Sequence, residues 1–268
     1  MTRLALFYYA GTKTTPVEQI SKFIELFDGV ILLSTGEGKY ANASALIHNI
    51  ETFATKSSSR FEIWAEIPYY SPNGSPRTLK DIQNWINKLE FSWISSRITG
   101  YYFSLEGAAS VLQDSTKVRD IVSYVRDIYK KPTLWIPIER WSSNEPLSLT
   151  RKCVEETGFS HVAPQPHYYM VTDNHGDHYR PNGMNYQDLN EFMWFCHENG
   201  FGVEMEWDSA VRGYCEHCGY GCDAVKCTDR ARDYLLALND IETRFGKFNY
   251  VVYYFSTDIN NYLEVVQK

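Results

Sequence analysis

Eight short apolar runs alternate with amphipathic segments along this chain of 268 residues, and that rhythm limits the fold more sharply than any other feature. The runs are LALFYYA (4–10), GVILLST (29–35), FEIWAEIPYY (61–70), TGYYFSLE (99–106), TLWIPIE (133–139), HVAPQPHYY (161–169), GVEMEWD (202–208) and YVVYYFS (250–256). Their length and their β-branched and aromatic content mark them as strands. Between them, KVRDIVSYVRDIY places Val118, Ile121, Val122, Val125 and Ile128 at helical spacing with charges on the opposite side. NYQDLNEFMWFCHENG does the same with Leu189, Phe192, Met193 and Cys196, and Gly200 ends it. A last helix is expected over DINNYLEVVQK.

Strands that are apolar almost throughout need cover on both faces, which a parallel sheet wrapped in helices supplies. Eight such units in about 250 residues suit one closed α/β architecture, a single (β/α)8 TIM barrel. Residues 1–268 are therefore expected to form one domain, with a Cys-rich loop after strand 7. The competing architecture is an open doubly wound sheet, but no Gly-rich dinucleotide turn follows any strand.

Charge narrows the partners. The net charge is −7 and no Lys/Arg-rich run occurs, so the footprint of a nucleic-acid binder is missing. No run of about 18 or more uncharged apolar residues marks a membrane span. The opening MTRLALFYYAG lacks a full apolar signal segment with a small-residue cleavage site and reads as the first strand. A cytoplasmic protein is expected, or an extracellular one if the chain is a mature form. Nothing in the sequence speaks to oligomeric state.

The seventh run carries the chemistry. Side chains alternate across a strand, so in FGVEMEWDSA the acids Glu204, Glu206 and Asp208 share one face and Val203, Met205 and Trp207 the other. In a barrel the apolar set faces the helices and the acids face inward, climbing to the C-terminal rim where barrel chemistry sits. The same parity puts Tyr102, Ser104 and Glu106 inside on the fourth strand. It adds Glu66 beside Trp64 and Tyr70 on the third, Glu139 above Trp135 on the fifth, and Gln165, His167 and Tyr169 on the sixth. Each acid could instead be paired with a buried Arg or capped by amides. The inward positions contain no Lys or Arg, however, and crowded like charges raise some of the pKa values.

That setting suits glycoside hydrolysis, which needs one protonated carboxyl to donate to the leaving oxygen and one ionised carboxylate to attack or activate water. Strands 4 and 7 lie across the mouth from each other, so Glu106 is the expected acid and Glu206 the expected nucleophile, with retention favoured. Glu66, Glu139, Glu204 and Asp208 are the supporting acids. Trp64, Tyr70, Tyr102, Trp135, Gln165, His167 and Tyr169 are expected to touch an oligosaccharide or polysaccharide substrate, with Arg180 reaching over the mouth. The 20 Tyr and 7 Trp of the chain serve either core packing or sugar stacking.

Three other barrel chemistries meet objections. A Schiff-base aldolase needs an inward Lys, and no strand has one. A phosphate-binding barrel would show a Gly-rich loop after strand 7 or 8, where STDINNY follows the eighth. A metal-dependent hydrolase usually needs several strand histidines, and only His161 and His167 lie on one. The alternative from a different class is a carbohydrate-binding TIM barrel without catalysis.

The blocks GYYFSLEG, WIPIERW, GFSHVAPQPHYYM and FGVEMEWD resemble those of an uncharacterised microbial domain-of-unknown-function family of TIM-barrel, glycoside-hydrolase-like proteins. The resemblance runs from the fourth strand onward and implies a sugar-active barrel with no established reaction. More broadly the chain resembles retaining glycosidase barrels with acid/base and nucleophile glutamates on strands 4 and 7. It departs from them at Leu105, where those barrels commonly carry Asn.

In CEHCGYGCDAVKC, the residues Cys215, Cys218, Cys222 and Cys227 could hold a structural Zn²⁺ in the loop leaving strand 7. Two disulfides or free thiols are the alternatives. Such a closed site would stiffen a rim loop, and no cofactor is expected for catalysis. Cys153 and Cys196 fall on helices as small buried hydrophobes. In TDNHGDHYRPNG, the side chains of Asp173, His175, Asp177 and His178 suit either a metal site or a polar turn around Gly176.

Overall fold

The computed structural model describes residues 1–7, 17–34, 42–71, 73–138, 147–166, 168, 185–207, 211, 224–255 and 258–266. The chain alternates as expected. The elements are β1 (Thr2–Phe7), α1 (Val17–Leu26), β2 (Gly29–Leu32), α2 (Ala43–Lys56), β3 (Glu62–Ile67), α3 (Leu79–Glu90), β4 (Gly100–Phe103), α4 (Ala108–Gln113) and α5 (Ser115–Tyr129). They continue with β5 (Thr133–Trp135), α6 (Ser148–Thr157), β6 (His161–Val162), α7 (Tyr186–Glu198), β7 (Val203–Glu206), α8 (Ala224–Phe245), β8 (Tyr250–Phe255) and α9 (Asn260–Val266).

The strands form one sheet in the order β6-β5-β4-β3-β2-β1-β8-β7, and neighbouring strands run parallel. Its two ends meet. The Gly202 N–H donates to Val162 O at 2.7 Å and the Glu204 N–H to Pro164 O at 3.0 Å, so β6 and β7 close a (β/α)8 barrel. This seam is thin compared with β1 against β8, whose register runs from Thr2↔Tyr250 to Phe7↔Phe255.

Alternation along the strands sorts the core into two layers. Leu4, Leu6, Ile31, Leu33, Trp64, Tyr102, Leu134, Ile136, Ala163 and Val252 fill the barrel, while a larger apolar layer, including Val203, Met205 and Trp207, lies between sheet and helices. Glycines admit the backbone where this packing is tightest. A Cβ at Gly100 would stand 2.5 Å from the Trp64 ring, and one at Gly202 only 2.4 Å from Tyr250 O.

Three expectations need correction. The fifth and sixth strands stop short because Pro137, Pro164 and Pro166 have no N–H for a ladder; single bridges at Gly107↔Ile138 and Ile138↔Gln165 carry the pairing upward instead. On α5, Val118, Ile121, Val122 and Val125 are buried, but Ile128 is 60% exposed because it falls past the edge of the apolar stripe. The parity expected for β5 is reversed. Leu134 and Ile136 point inward, whereas Trp135 faces the helices, stacks on Phe159 with centroids 5.2 Å apart, and donates its indole N–H to Leu105 O at 2.7 Å.

The helix over Tyr186–Glu198 matches its sequence reading. Asn185 and Asp188 form a reciprocal capping box at its start, and Leu189, Phe192, Met193 and Cys196 are buried. Gly200 follows its end with φ +69°.

Candidate functional site

The barrel's C-terminal mouth holds a cleft of about 360 Å³, set over the ends of the second to fifth strands. Glu66 and Tyr102 form part of its lining, with Tyr70, Ser104, Glu106, Ser110 and Ile138 around them. Glu66 is the penultimate residue of β3. The backbone of β4 finishes at Phe103, so Glu106 and Gly107 belong to the turn that leads into α4.

Glu66 is fully buried. Its Oε2 accepts the backbone N–H and the hydroxyl of Ser34, both at 2.7 Å. Desolvation raises its pKa, and the bonds from Ser34, the nearby Ser104 hydroxyl and the more distant Arg77 charge pull it back towards the ionised form. Ser104 donates its own proton to Ile67 O at 3.0 Å, and Arg77 Nε donates to Tyr70 O at 2.9 Å.

Glu106 is less enclosed, yet burial dominates there as it does at Glu66. Its pKa is pushed up to about 7 by desolvation, against a hydrogen bond from Gln165 that favours the charged form. Gln165 also lies within 3.5 Å of Ile136 O through its Nε2. Between these groups stands Tyr102. Burial drives its phenol well above the ordinary range, and the charges of Glu106, Glu66 and Glu204 add to that in the same direction. The three acids thus surround one ring in the upper barrel.

β7 delivers its acids inward as the alternation requires, and both Glu204 and Glu206 are buried. The hydroxyl of Tyr234, on α8, donates to Glu206 Oε2 and accepts the Tyr168 N–H at 3.1 Å. Tyr168 in turn bonds Asp233 at 2.6 Å. Tyr234 therefore enters above the thin β6–β7 seam and ties β7 to the segment after β6.

The placement of the expected site residues is mixed. Glu66, Tyr70, Tyr102 and Glu106 share the cleft, and Gln165 reaches Glu106. Glu204 faces Tyr102, while Glu206 is held from the helix side and is not part of the cleft lining among the described residues. Trp64 points inward but at the opposite end. Its indole donates to Glu62 at 2.9 Å, and its ring meets His161 and Tyr250, which open β6 and β8, so it forms the barrel floor and not a sugar platform. Trp135, facing the helices, cannot serve the mouth either.

Glu139, Asp208, His167, Tyr169, Arg180, Cys215, Cys218 and Cys222 lie outside the described residues, as do Asp173, His175, Asp177 and His178. Cys227 is on the backbone of α8 and not in the preceding loop, with its side chain outside the description. Among the described residues no group of three or more His, Cys, Asp and Glu side chains is placed to hold a metal ion. No described helix is long and apolar enough to cross a membrane.

Two partners escaped the sequence reading. Ser34 ends a hydrophobic run with nothing to mark it as a carboxylate donor, and Tyr234 sits on a long helix whose apolar stripe explains it fully.

Comparison with known proteins adds the architecture. The chain superposes with a TM-score of 0.53 on a phosphoenolpyruvate phosphomutase from Streptomyces platensis subsp. rosaceus, at 11% identity, covering 100% of this chain and 80% of that one. A candidate chitinase A from Streptomyces coelicolor gives the same TM-score, 0.53, at 8% identity, covering 98% and 94%. A 2,3-dimethylmalate lyase gives 0.50 at 9% identity, covering 99% and 79%. The likeness is one of fold. These TIM-barrel neighbours have dissimilar names, and at such identities the barrel is all they share with this chain. No protein-family model matches the sequence, and no curated protein matches it.

Proposed function

We propose that this barrel is a glycoside hydrolase in which Glu106 is the general acid and Glu206 the opposing carboxylate. The observation that carries the reading is Glu106 itself: a carboxyl at the edge of an open cleft, with its pKa raised to about 7 by burial. A group poised there is protonated often enough near neutrality to donate, and becomes a usable base after donating. In the proposed reaction Glu106 gives its proton to the glycosidic oxygen as the C–O bond breaks. Glu206 attacks the anomeric carbon to form an ester, and water, deprotonated by Glu106, then releases the sugar. The Tyr234 hydroxyl on Glu206 Oε2 favours the ionised form that attack requires and fixes its rotamer.

The test is hydrolysis of a panel of oligosaccharides of known linkage by the wild type, Glu106→Gln and Glu206→Gln. Each variant is expected to lose about 10²- to 10⁴-fold in turnover while still binding substrate. A small anion such as azide is expected to restore part of the loss in a nucleophile variant. Full turnover in either variant would remove that residue's role.

A second reading is a carbohydrate-binding barrel without turnover. It is favoured by the cleft's position over β2 to β5, with Glu206 held by Tyr234 outside its lining. It predicts that the wild type binds oligosaccharides and cleaves none.

A further inference from the structure

The end of the barrel opposite the cleft bears a patch of large apolar side chains that the fold leaves in water. Phe91 is 83% exposed, Trp93 64% and Ile128 60%. They are neighbours in space. α3 and α5 run side by side in the same direction, and the hydroxyls of Tyr124 and Tyr129 both donate to Asn87 Oδ1, at 2.6 Å and 2.5 Å. Phe91 lies one turn beyond Asn87 and Ile128 one turn beyond Tyr124, so the two stand level at the foot of the helix pair. Lys131, just past α5, bonds Glu90 at 2.6 Å and Ser95 O at 2.9 Å, which holds the loop bearing Trp93 against the same foot. Both helices hand the chain to the start of the next strand, so the patch faces away from the cleft.

Its surroundings are basic on an acidic protein. The segments 53–61, 87–97 and 126–131, which meet at this foot, contain seven Lys and Arg and two acids, against a net charge of −7 overall. Both acids are engaged, Glu90 with Lys131 at 2.6 Å and Asp127 with Arg126 at 2.8 Å. Glu62, next along the chain, turns onto the barrel floor to accept the Trp64 indole N–H. Arg97 joins the foot to the end of α2 by donating to Ala54 O and Ser58 O, which leave its charge uncancelled. Lys56, Arg60, Lys88 and Lys130 are exposed and form no ion pair among the described residues. Cations at helix C-termini are ordinary, but exposed aromatic rings clustered among them mark a surface that meets a partner.

We propose that this end of the barrel docks on the surface of an anionic lipid bilayer, with Phe91, Trp93 and Ile128 entering the interface and the surrounding Lys and Arg meeting the headgroups. Such a surface supplies, in one partner, apolar depth for the rings and negative charge for the cations. Tryptophan suits that boundary because its ring is apolar and its N–H polar. A second copy of the chain fits worse, since a two-fold contact through this patch would set like charges against each other. Docked in this way the protein lies on the membrane without spanning it, and the cleft at the other end opens into water.

The experiment is co-sedimentation of the full chain with vesicles of phosphatidylcholine alone, or of phosphatidylcholine mixed equally with phosphatidylglycerol. Binding is expected to the mixed vesicles and to be weaker on phosphatidylcholine alone. Lys88→Gln and Lys130→Gln are each expected to lower the partition coefficient about fivefold. Phe91→Ser combined with Trp93→Ser is expected to lower it at least about tenfold with the charge intact. All four side chains are exposed, so the variants should keep the fold, which urea unfolding checks. No preference for the anionic vesicles, or undiminished binding by the ring variant or by both lysine variants, would overturn the proposal. Sedimentation velocity of the protein alone is the second readout. A dimer that the ring variant takes apart would give the face to a second copy and overturn the lipid assignment. Neither readout uses hydrolysis, so the outcome is independent of the reaction proposed for the cleft.

Discussion

A single carboxyl, Glu106, links burial to pH. Its folded pKa of about 7 lies above the ordinary carboxyl value because desolvation outweighs the bond from Gln165. As the proposed acid it works protonated, so kcat/KM should fall as pH rises through about 7. A basic limb that does not move in Glu106→Gln, measured on residual activity, would assign the limb to another group. Trp135 tests the opposite kind of residue. Buried against Phe159 and bonded to Leu105 O, it should cost about 3–5 kcal/mol of stability when changed to alanine, read by urea unfolding, while ligand affinity at the mouth stays unchanged. The sequence could place Glu66 and Tyr102 because the two-residue period of β3 and β4 is unbroken, whereas Glu106 reaches the same cleft from the turn after β4. The same reading misplaced Trp135 because a three-residue strand flanked by prolines offers too little alternation to fix parity, and a tryptophan is apolar enough for either side.

Among the elements, α8 does what no helix period announces. Its apolar stripe packs on the sheet, yet Tyr234 carries a hydroxyl through that layer to Glu206 and to the Tyr168 N–H. Removing the hydroxyl in Tyr234→Phe takes a donor from a buried carboxylate and an acceptor from a buried amide. We expect a loss on the order of 1–3 kcal/mol in chemical unfolding, and a shift in the pH dependence of turnover as the carboxylate loses its donor. A stability loss without that shift would mark Tyr234 as structural only. The strands and the helices α5, α7 and α9 were legible from the sequence, since one face of each is buried in a two-layer core. The partners of the carboxylates were not, because they come from segments 32 residues away at Ser34 and 28 away at Tyr234, joined only by barrel closure.

The whole molecule carries an unusual pH balance. Glu66 and Glu106 both have folded pKa values above their unfolded ones, so over that interval the native state binds more protons than the unfolded chain. Stability contributed by these groups therefore rises as pH falls from about 7 or 8 towards about 5, the reverse of a salt-bridged carboxylate. This contribution should raise the melting temperature at pH 5.5 relative to pH 8, against the opposite trend of half-buried His161, whose pKa burial lowers, and Glu106→Gln should remove part of it. A Glu106→Gln variant whose melting profile keeps the wild-type pH dependence would contradict the burial-raised pKa of Glu106.

One consequence concerns how the chain emerges during synthesis. β1 pairs on one side with β8, and β7 takes its full ladder from β8 as well, leaving two backbone bonds among the described residues to join β7 to the β6 segment. Until Tyr250–Phe255 leaves the ribosome, the growing sheet from β1 to β6 has two open edges, and the acids of β7 have no barrel to enter. The segment that completes the ring is thus made after the other seven strands, and a nascent chain stalled before it exposes unpaired strand edges of the kind that chaperones recognise.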